Sequence, residues 1–269
     1  MISHSELYSA DDAIKVRVDG CSGTIILNNV AKKNAITRNM LRQLSEALSD
    51  LHQEKRVRGV ILTGSEDVFS SGSDLAEIRD TMKEDDPQQS WFADSMEQKD
   101  LIEKMLRFPK PIVAAVNGPA LGLGAALVLA SDVVVGTSVS QFGFPEAQRG
   151  LVPGMAVPLL AFRLGASTAA DFLLRSEVAS AEDCLQLQIF RWIVDHDLVW
   201  AKADGVIRDL SSTDPTAVAI TKRLLNETIG ETLFQQLSAG AAAIASARTT
   251  AAAKEGVEAF LEKRDPEWP

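Results

Sequence analysis

Cysteine is scarce in this chain, and its two cysteines, Cys21 and Cys184, stand far apart in the sequence. Their positions match neither a metal-binding spacing nor a disulfide framework. Histidine is also scarce, because only His4, His52 and His196 occur and none stands beside a nucleophile motif. No G-x-S-x-G motif is present. These absences argue against metal catalysis, so no metal ligand is assigned, and against a hydrolase that pairs a nucleophile with a histidine.

Positive charge and long apolar segments are also in short supply. The 27 Lys and Arg residues are outnumbered by 37 Asp and Glu residues, which gives a formal net charge of −10. A nucleic-acid or anionic-membrane partner would favour the opposite balance. The longest apolar run, around residues 120–130, is interrupted by Gly122 and Gly124 and is too short to span a bilayer. The first residues contain no basic region followed by an apolar stretch, so no signal peptide is expected. We therefore expect a cytoplasmic protein that binds neither nucleic acid nor membrane.

The chain does contain the alternation of strands and helices that builds an α/β domain. Its 269 residues are 46% hydrophobic, enough to bury a sizeable core. Strand patterns at residues 57–63, 111–116 and 132–137 are separated by helical patterns, whereas residues from 197 onwards show only helical periodicity. This order predicts mostly parallel strands followed by a helical tail.

Residues 79–95 form the most irregular stretch of the sequence. The segment is polar and contains one proline, but Trp91 and Phe92 interrupt its polarity. This composition predicts a solvated loop. The alternative is a mobile lid over a pocket.

Three segments share a pattern in which a strand ends, small residues follow and a helix begins. They are residues 69–75 (FSSGSDL), 117–124 (NGPALGLG) and 142–146 (FGFPE). The N–H groups at the start of a helix lack intrahelical partners, so two such ends facing each other could hold an oxygen that gains negative charge. Alternatively, the glycines only permit tight turns and close packing. A dinucleotide site is not indicated, because the glycine spacing differs from G-x-G-x-x-G.

The same segments resemble those of the enoyl-CoA hydratase/isomerase family, also called the crotonase family. Residues 69–75 resemble its F-S-x-G-x-D-[IL] element, and residues 111–132 (PIVAAVNGPALGLGAALVLASD) resemble its signature stretch. Residues 141–154 are similar to its catalytic loop, and residues 260–268 (FLEKRDPEW) to its closing F-x-E-K-R pattern. Four elements in the right order extend the resemblance over nearly the whole chain.

The resemblance implies an α/β fold of the crotonase-like type, a spiral of ββα repeats with a helical C-terminal trimerisation region. On this basis residues 1–200 would form the core that carries the acyl-CoA site, and residues 201–269 would serve oligomerisation and contact with CoA. The chain would assemble as a homotrimer or as a hexamer made of two trimers. It would bind no permanent cofactor, because coenzyme A arrives as part of the thioester substrate.

The resemblance also implies which residues form the site. The oxyanion donors would be the backbone N–H groups of Ser73 and Leu123, although Leu123 replaces a residue that is usually small. Lys32, Lys33 and Lys263 could offset the acidic charge of the chain near the CoA phosphates, whereas the charge of Asp74 suits a helix start better than catalysis. The positions that match the family's CoA-binding residues are Lys33, Ala35, Ser71, Ser73, Asp74, Leu75, Phe260 and Lys263.

The chain departs from the hydratases of this family at one catalytic position. Those enzymes use two glutamates; the second matches Glu146, but Ala126 occupies the position of the first. One carboxylate orients a water poorly, yet it suffices to move a proton between carbons. We therefore expect Glu146, with a pKa raised by partial burial, to act alone in shifting the double bond of an enoyl-CoA. The alternatives are hydration of a 2-enoyl-CoA and a degenerate homologue that binds acyl-CoA without turning it over; outside this motif Glu146 would be a solvated loop carboxylate.

Overall fold

The computed structural model describes residues 13–269, apart from the side chain of Ile229. The prediction that no signal peptide is present concerns residues outside this range. His4 also lies outside it. Within the described range none of the helices combines the length and the apolar composition that a bilayer crossing requires.

The described chain contains nine strands arranged in two sheets. They are β1 (Ile14–Asp19), β2 (Ser22–Leu27), β3 (Gly59–Gly64), β4 (Ile112–Val116), β5 (Ala120–Leu121), β6 (Val133–Thr137), β7 (Gln141–Gly143), β8 (Val178–Ser180) and β9 (Trp192–Val194). The large sheet has the order β1-β2-β3-β4-β6-β9, and the small sheet has the order β5-β7-β8. Only the β1–β2 pair is antiparallel in the large sheet, so the prediction of mostly parallel pairing is confirmed.

Eleven α-helices occur in residues 13–269. They are α1 (Arg38–Gln53), α2 (Leu75–Thr81), α3 (Pro87–Arg107), α4 (Leu123–Ala130), α5 (Ala156–Leu164), α6 (Ala166–Leu174), α7 (Ala181–Gln186), α8 (Val199–Ser211), α9 (Pro215–Arg223), α10 (Glu231–Arg248) and α11 (Ala251–Glu262). Short 3-10 helices lie at Val30–Lys32, Pro145–Arg149 and His196–Leu198, and a π-helix lies at Leu224–Ile229. The predicted helical tail is confirmed, because no strand follows β9.

The chain moves repeatedly from the large sheet to the small sheet and then into a helix. β4 belongs to the large sheet and β5 to the small one, and α4 follows; β6, β7 and α5 repeat this order. This recurrence has the strand–strand–helix order expected of a ββα spiral. It also places the segments that follow β5 and β7 next to each other, because these two strands pair in parallel.

The core lies on both faces of the large sheet. Successive residues of a strand point to opposite faces, so Val60 and Leu62 of β3 join the main core while Ile61 faces the other way. The second face is covered by α8, which contributes Ala203 and Ile207. The boundary expected between residues 200 and 201 falls inside α8. The division of the chain into a core region and an oligomerisation region stays a prediction.

The prediction of a loop at residues 79–95 is wrong for most of the segment. α2 continues to Thr81, and α3 begins at Pro87 with Asp86 as its N-cap. An acidic N-cap followed by proline is a helix-start signal, and Trp91 is buried, so the segment is an amphipathic helix with a polar outer face. The apolar side of this helix was too sparse to reveal its period in the sequence.

The C-terminal helices lie directly against the segment that follows β7. A methyl group on Gly154 would lie 2.2 Å from the carbonyl oxygen of Gly240 in α10. A methyl group on Gly256 in α11 would lie 2.4 Å from the carbonyl oxygen of Arg149. The helical tail therefore covers the segment 149–154 of its own chain.

The start of α1 supplies a test of the local structure. Thr37 is its N-cap, and its hydroxyl accepts a hydrogen bond from the Met40 N–H at 3.2 Å. We expect Thr37→Ala to lower the free energy of unfolding by about 1 kcal/mol, because one N–H of the first turn loses its acceptor. Thr37→Ser keeps the hydroxyl and serves as control in urea unfolding. Equal losses in both variants would contradict the capping role.

Candidate active site

A cavity of about 470 Å³ lies where the three glycine-containing segments meet α2, α10 and α11. Its wall contains almost all the residues that the sequence singled out, from both the catalytic and the CoA-binding sets: Lys33, Ala35, Ser71, Ser73, Asp74, Leu75, Leu123, Glu146 and Phe260. Lys263 is the exception. It is an exposed residue at the C-terminal end of α11 and is not part of the wall.

The first two glycine segments touch each other at Gly72 and Gly122. Both residues have positive φ angles, +97° and +54°, which side chains rarely tolerate. A methyl group on Gly72 would lie 3.0 Å from the Leu121 carbonyl oxygen and 3.5 Å from the Leu123 nitrogen. The close contact therefore requires glycine for both conformation and space.

The main chain around Ser73 leaves one N–H group free. Ser73 forms a parallel bridge with Ile36, in which the Ile36 N–H donates to the Gly72 carbonyl and the Asp74 N–H donates to the Ile36 carbonyl. Because such bridges use the residues on either side, the Ser73 N–H points away from Ile36. Within residues 13–269 it donates to no protein acceptor.

A second free N–H belongs to Leu123, the first residue of α4. The Gly122 N–H before it donates to the Gly143 carbonyl, and the Ala126 N–H donates to the Gly122 carbonyl and closes the first turn of the helix. No acceptor for the Leu123 N–H is present in the described part of the chain. Two free donors on touching segments are suited to an oxygen that gains negative charge.

Glu146 places a carboxylate beside this pair of amides. It lies in the 3-10 helix Pro145–Arg149, and a methyl group on Gly122 would lie 3.0 Å from its Oε1. Its Oε2 is buried and has no hydrogen-bond partner among the described residues. Burial raises the pKa of Glu146 from 4.5 to about 7, as the sequence led us to expect. A carboxyl with this pKa can both take and give a proton near neutrality.

The other carboxylate on the cavity wall, Asp74, is already engaged. It is the N-cap of α2, and it accepts hydrogen bonds from the Ala76 N–H at 2.9 Å and from the Lys32 ammonium. The bond to Asp74 raises the pKa of Lys32 and keeps this cation paired within the chain. Asp74 therefore starts a helix, as expected, and its pairing limits what Lys32 can offer to a ligand.

Ala126 lies one turn into α4, and its side chain is buried on the cavity wall. The position that the resemblance matches to a first catalytic glutamate therefore faces the cavity in this chain. Asp74 and Glu146 are the acidic residues of the wall. Only Glu146 has a buried carboxylate oxygen without a partner, so one carboxylate is available for proton transfer.

The residues expected to contact CoA surround the outer part of the cavity. Lys33 is exposed, and its carbonyl accepts from the Ser71 N–H at 3.0 Å, which joins the segment 30–35 to the first glycine segment. Phe260 of α11 is half-exposed and stacks on the guanidinium of Arg149, 4.5 Å from the ring centre. The apolar ring of Phe260 and the exposed ammonium group of Lys33 thus lie at the same opening of the cavity.

Sequence reasoning missed three polar residues of the wall, namely Gln98, Arg149 and Arg248. Gln98 and Arg248 stand on helices distant in sequence, and no motif marks either of them. Only the packing of α10 against α3 brings them together. No group of three His, Cys, Asp or Glu side chains in residues 13–269 is arranged to hold a metal ion.

The topology and the cavity together define an α/β protein of the crotonase fold. A family model described as enoyl-CoA hydratase/isomerase matches residues 22–269, and the chain belongs to that family. An enoyl-CoA hydratase/isomerase structure from Xanthobacter autotrophicus Py2 is similar with a TM-score of 0.86 and 26% identity, over 96% of this chain and 99% of that one. The predicted fold class is confirmed.

Relatives of known name agree with this assignment. A Thermus thermophilus protein, provisionally named an enoyl-CoA hydratase, is 32% identical over 93% of this chain and 98% of its own length. An Escherichia coli protein named 2,3-dehydroadipyl-CoA hydratase is 28% identical over 91% of this chain and 93% of its own length. The chain is therefore an enzyme of the hydratase/isomerase family, whose members act on acyl-CoA thioesters.

The raised pKa of Glu146 predicts a specific dependence of stability on pH. The folded chain holds this proton up to about pH 7 and the unfolded chain only to about 4.5, so stability falls as pH rises through that window. We expect Glu146→Gln to abolish this loss and to gain about 3 kcal/mol over wild type between pH 4.5 and pH 8. Urea unfolding across this range measures the difference.

Glu182→Gln is the matched control for this experiment. Glu182 is an exposed carboxyl in the first turn of α7, far in sequence from the cavity. Its substitution removes one charge without touching the site. If both variants follow the same pH curve, Glu146 does not carry the raised pKa.

Proposed function

We propose that this enzyme shifts the double bond of an enoyl-CoA, with Glu146 as its single acid/base. The observation that carries the proposal is the buried, unpartnered Oε2 of Glu146 beside the two free amides of Ser73 and Leu123. These amides are proposed to form the oxyanion hole for the thioester oxygen. A base and an oxyanion hole at one cavity are the two groups that proton abstraction beside a carbonyl requires.

The proposed reaction needs only one proton carrier. Glu146 removes a proton from the carbon next to the thioester carbonyl of a 3-enoyl-CoA, and the electron pair delocalises onto the oxygen held by the two amides. The same carboxyl then returns the proton to the far carbon of the former double bond. The double bond moves one position towards the thioester, and no atom is gained or lost.

Hydration of a 2-enoyl-CoA is the second candidate, because relatives of this chain are named as hydratases. It requires a water oriented for attack, a task shared by two glutamates in the hydratases of the family. Ala126 leaves Glu146 to do this alone. A third candidate, a homologue that binds acyl-CoA without turnover, would retain the cavity but show no proton exchange.

CoA is proposed to bind at the opening formed by the segment 30–35, Ser71 and α11. The exposed Lys33 offers a positive charge there, and the half-exposed Phe260 offers an apolar surface. Asp74 and Leu75 complete the wall on the side of α2. Lys263 stands at the end of α11, outside the cavity wall, so a contact of its side chain with a CoA phosphate remains a proposal.

Assembly into a homotrimer or a hexamer is also proposed. Apolar side chains at the end of α9 and in the following π-helix are exposed, among them Ile220, Leu224 and Leu225. Contact with another copy would remove this apolar surface from water. The cytoplasmic location expected from the sequence stays a prediction.

The first test measures proton exchange. With 2-enoyl- and 3-enoyl-CoA thioesters in deuterated water, wild type is expected to interconvert the two and to incorporate deuterium beside the thioester. We expect Glu146→Gln to lower isomerisation by about 100- to 10,000-fold, the usual cost of losing a general acid or base. Mass spectrometry and NMR of the products report isomerisation, hydration and bare exchange together.

Binding of the CoA thioester, measured by calorimetry, is the control, and it should survive Glu146→Gln. Activity within about twofold of wild type in this variant would contradict the proposed mechanism. Tight binding by wild type with no deuterium incorporation would favour the non-catalytic homologue. Water addition faster than isomerisation would favour the hydratase.

The second test restores the missing carboxylate. Ala126→Glu is expected to raise the ratio of hydration to isomerisation by about tenfold or more, because a second carboxylate can share the orientation of water. Ala126→Gln has nearly the same shape without the charge and is the matched control. If both variants change the ratio equally, the missing carboxylate is not what limits hydration.

A further inference from the structure

Arg248 places a buried guanidinium on the wall of the cavity. It is the last residue of α10, and its side chain is only 4% exposed. Its neighbours on the wall include the apolar side chains of Ile78, Met155 and Ile244. A cation in such surroundings is costly unless it meets an anion and hydrogen-bond acceptors.

The chain only partly supplies that anion. The Nη1 of Arg248 lies 3.5 Å from Oδ2 of Asp94, at the limit of a hydrogen bond. The same carboxylate already accepts two bonds from Arg38, at 2.6 and 2.9 Å. One carboxylate thus serves two guanidinium groups, and Arg248 makes the longer contact with it.

Arg248 also has donors without acceptors. Its Nε is buried and has no hydrogen-bond partner among residues 13–269. Its Nη1 makes the 3.5 Å contact with Asp94. Burial lowers the pKa of Arg248 only to about 10, so the group stays charged at neutral pH. Arg248 can therefore accept an anion in addition to its long contact with Asp94.

Gln98 adds a second unsatisfied polar group to the same wall. It lies one turn after Asp94 on α3 and is 6% exposed, and its side-chain amide makes no hydrogen bond within residues 13–269. Arg248 and Gln98 thus face the cavity from two helices that pack on each other. A carboxylate fits such a pair, because its two oxygens can accept several N–H donors at once.

A phosphate of CoA is the less suitable partner for Arg248. Phosphates keep much of their hydration, and the exposed Lys33 offers a contact at the solvent-facing side of the cavity. Arg248, in contrast, is buried on the cavity wall and only 4% exposed. A group that reaches it must enter the cavity as part of the acyl chain.

We propose that Arg248 and Gln98 bind a carboxylate at the distal end of the acyl group, so that the preferred substrate is the CoA thioester of an unsaturated diacid. This inference rests on the proposed function, because it assigns the substrate class of the same cavity. Arg248 supplies the charge that selects the carboxylate, and Gln98 supplies a further donor. Neutral acyl chains of equal length leave the buried guanidinium unsatisfied and bind less well.

The experiment compares enoyl-CoA thioesters that end in a carboxylate with their methyl esters, over a series of chain lengths. Wild type is expected to prefer the carboxylate in kcat/KM by about 10- to 100-fold at the best length, the range for a hydrogen bond to a charged group. Arg248→Gln should remove this preference, and Arg248→Lys should keep part of it. Asp94 retains both bonds to Arg38 in these variants, so no buried carboxylate is left unpaired.

Arg163→Gln is the matched control. It removes a guanidinium that donates to the carbonyls of Leu129 and Ser131 outside the cavity, and it should leave the preference unchanged. If Arg248 is merely structural, its variants lower the activity on acid and ester equally, and the inference is overturned. A wild type without preference at every length overturns it as well.

The two proposals fail in different ways. Turnover of acid and ester at equal rates contradicts the preference for a diacid thioester but not the proposed isomerase activity. If neither thioester is turned over, the proposed function fails, and calorimetry then decides the inference by comparing the affinities for acid and ester. Tighter binding of the acid that is lost in Arg248→Gln supports it, and equal affinities overturn it.

Discussion

The contact between the backbones at Gly72 and Gly122 is the constraint on which the candidate site depends. It brings the free amides of Ser73 and Leu123 onto one cavity, and Ser70 holds it in place. The Ser70 hydroxyl donates to the Asn34 carbonyl and accepts from the Gly72 N–H. A side chain at Gly72 would press on the Leu121 carbonyl and so on the contact that sets the two donors side by side, and one at Gly122 would meet the Glu146 carboxylate. The chemistry proposed for this chain thus starts from main-chain geometry.

Burial gives Glu146 and Arg248, two ionisable groups of the cavity wall, their chemical character. Removing the Glu146 carboxylate from water raises its pKa towards neutrality, so one group can take and return a proton. The same exclusion of water makes it costly to leave the charge of Arg248 only partly paired, and this cost favours a negatively charged ligand. In the two proposals, the reaction and the substrate selectivity therefore have the same physical cause, which is burial in this cavity.

The sequence predicted the parts of the site that lie close together along the chain. The segments 69–75 and 117–124 carry strong local signals, since glycine and small residues are needed where a strand turns into a helix. The helix start at Asp74 and the cavity-facing position of Ala126 agree with that interpretation. The predicted loop at residues 79–95 is wrong for most of the segment. The helical period there rests on a few apolar residues such as Trp91, and the helix is stabilised by their tertiary packing.

The sequence by itself determined the family, the order of strands and helices and the identity of the groups that can carry chemistry. Each of these depends on local pattern or on motifs that are contiguous in the chain. Only the tertiary structure decided which side chains meet: it leaves Lys263 off the cavity wall, pairs Lys32 with Asp74 and brings Arg248 to Gln98. Burial, pairing and pKa depend on neighbours that are distant in sequence, and the packing of α10 against α3 supplies these neighbours only once the chain has folded.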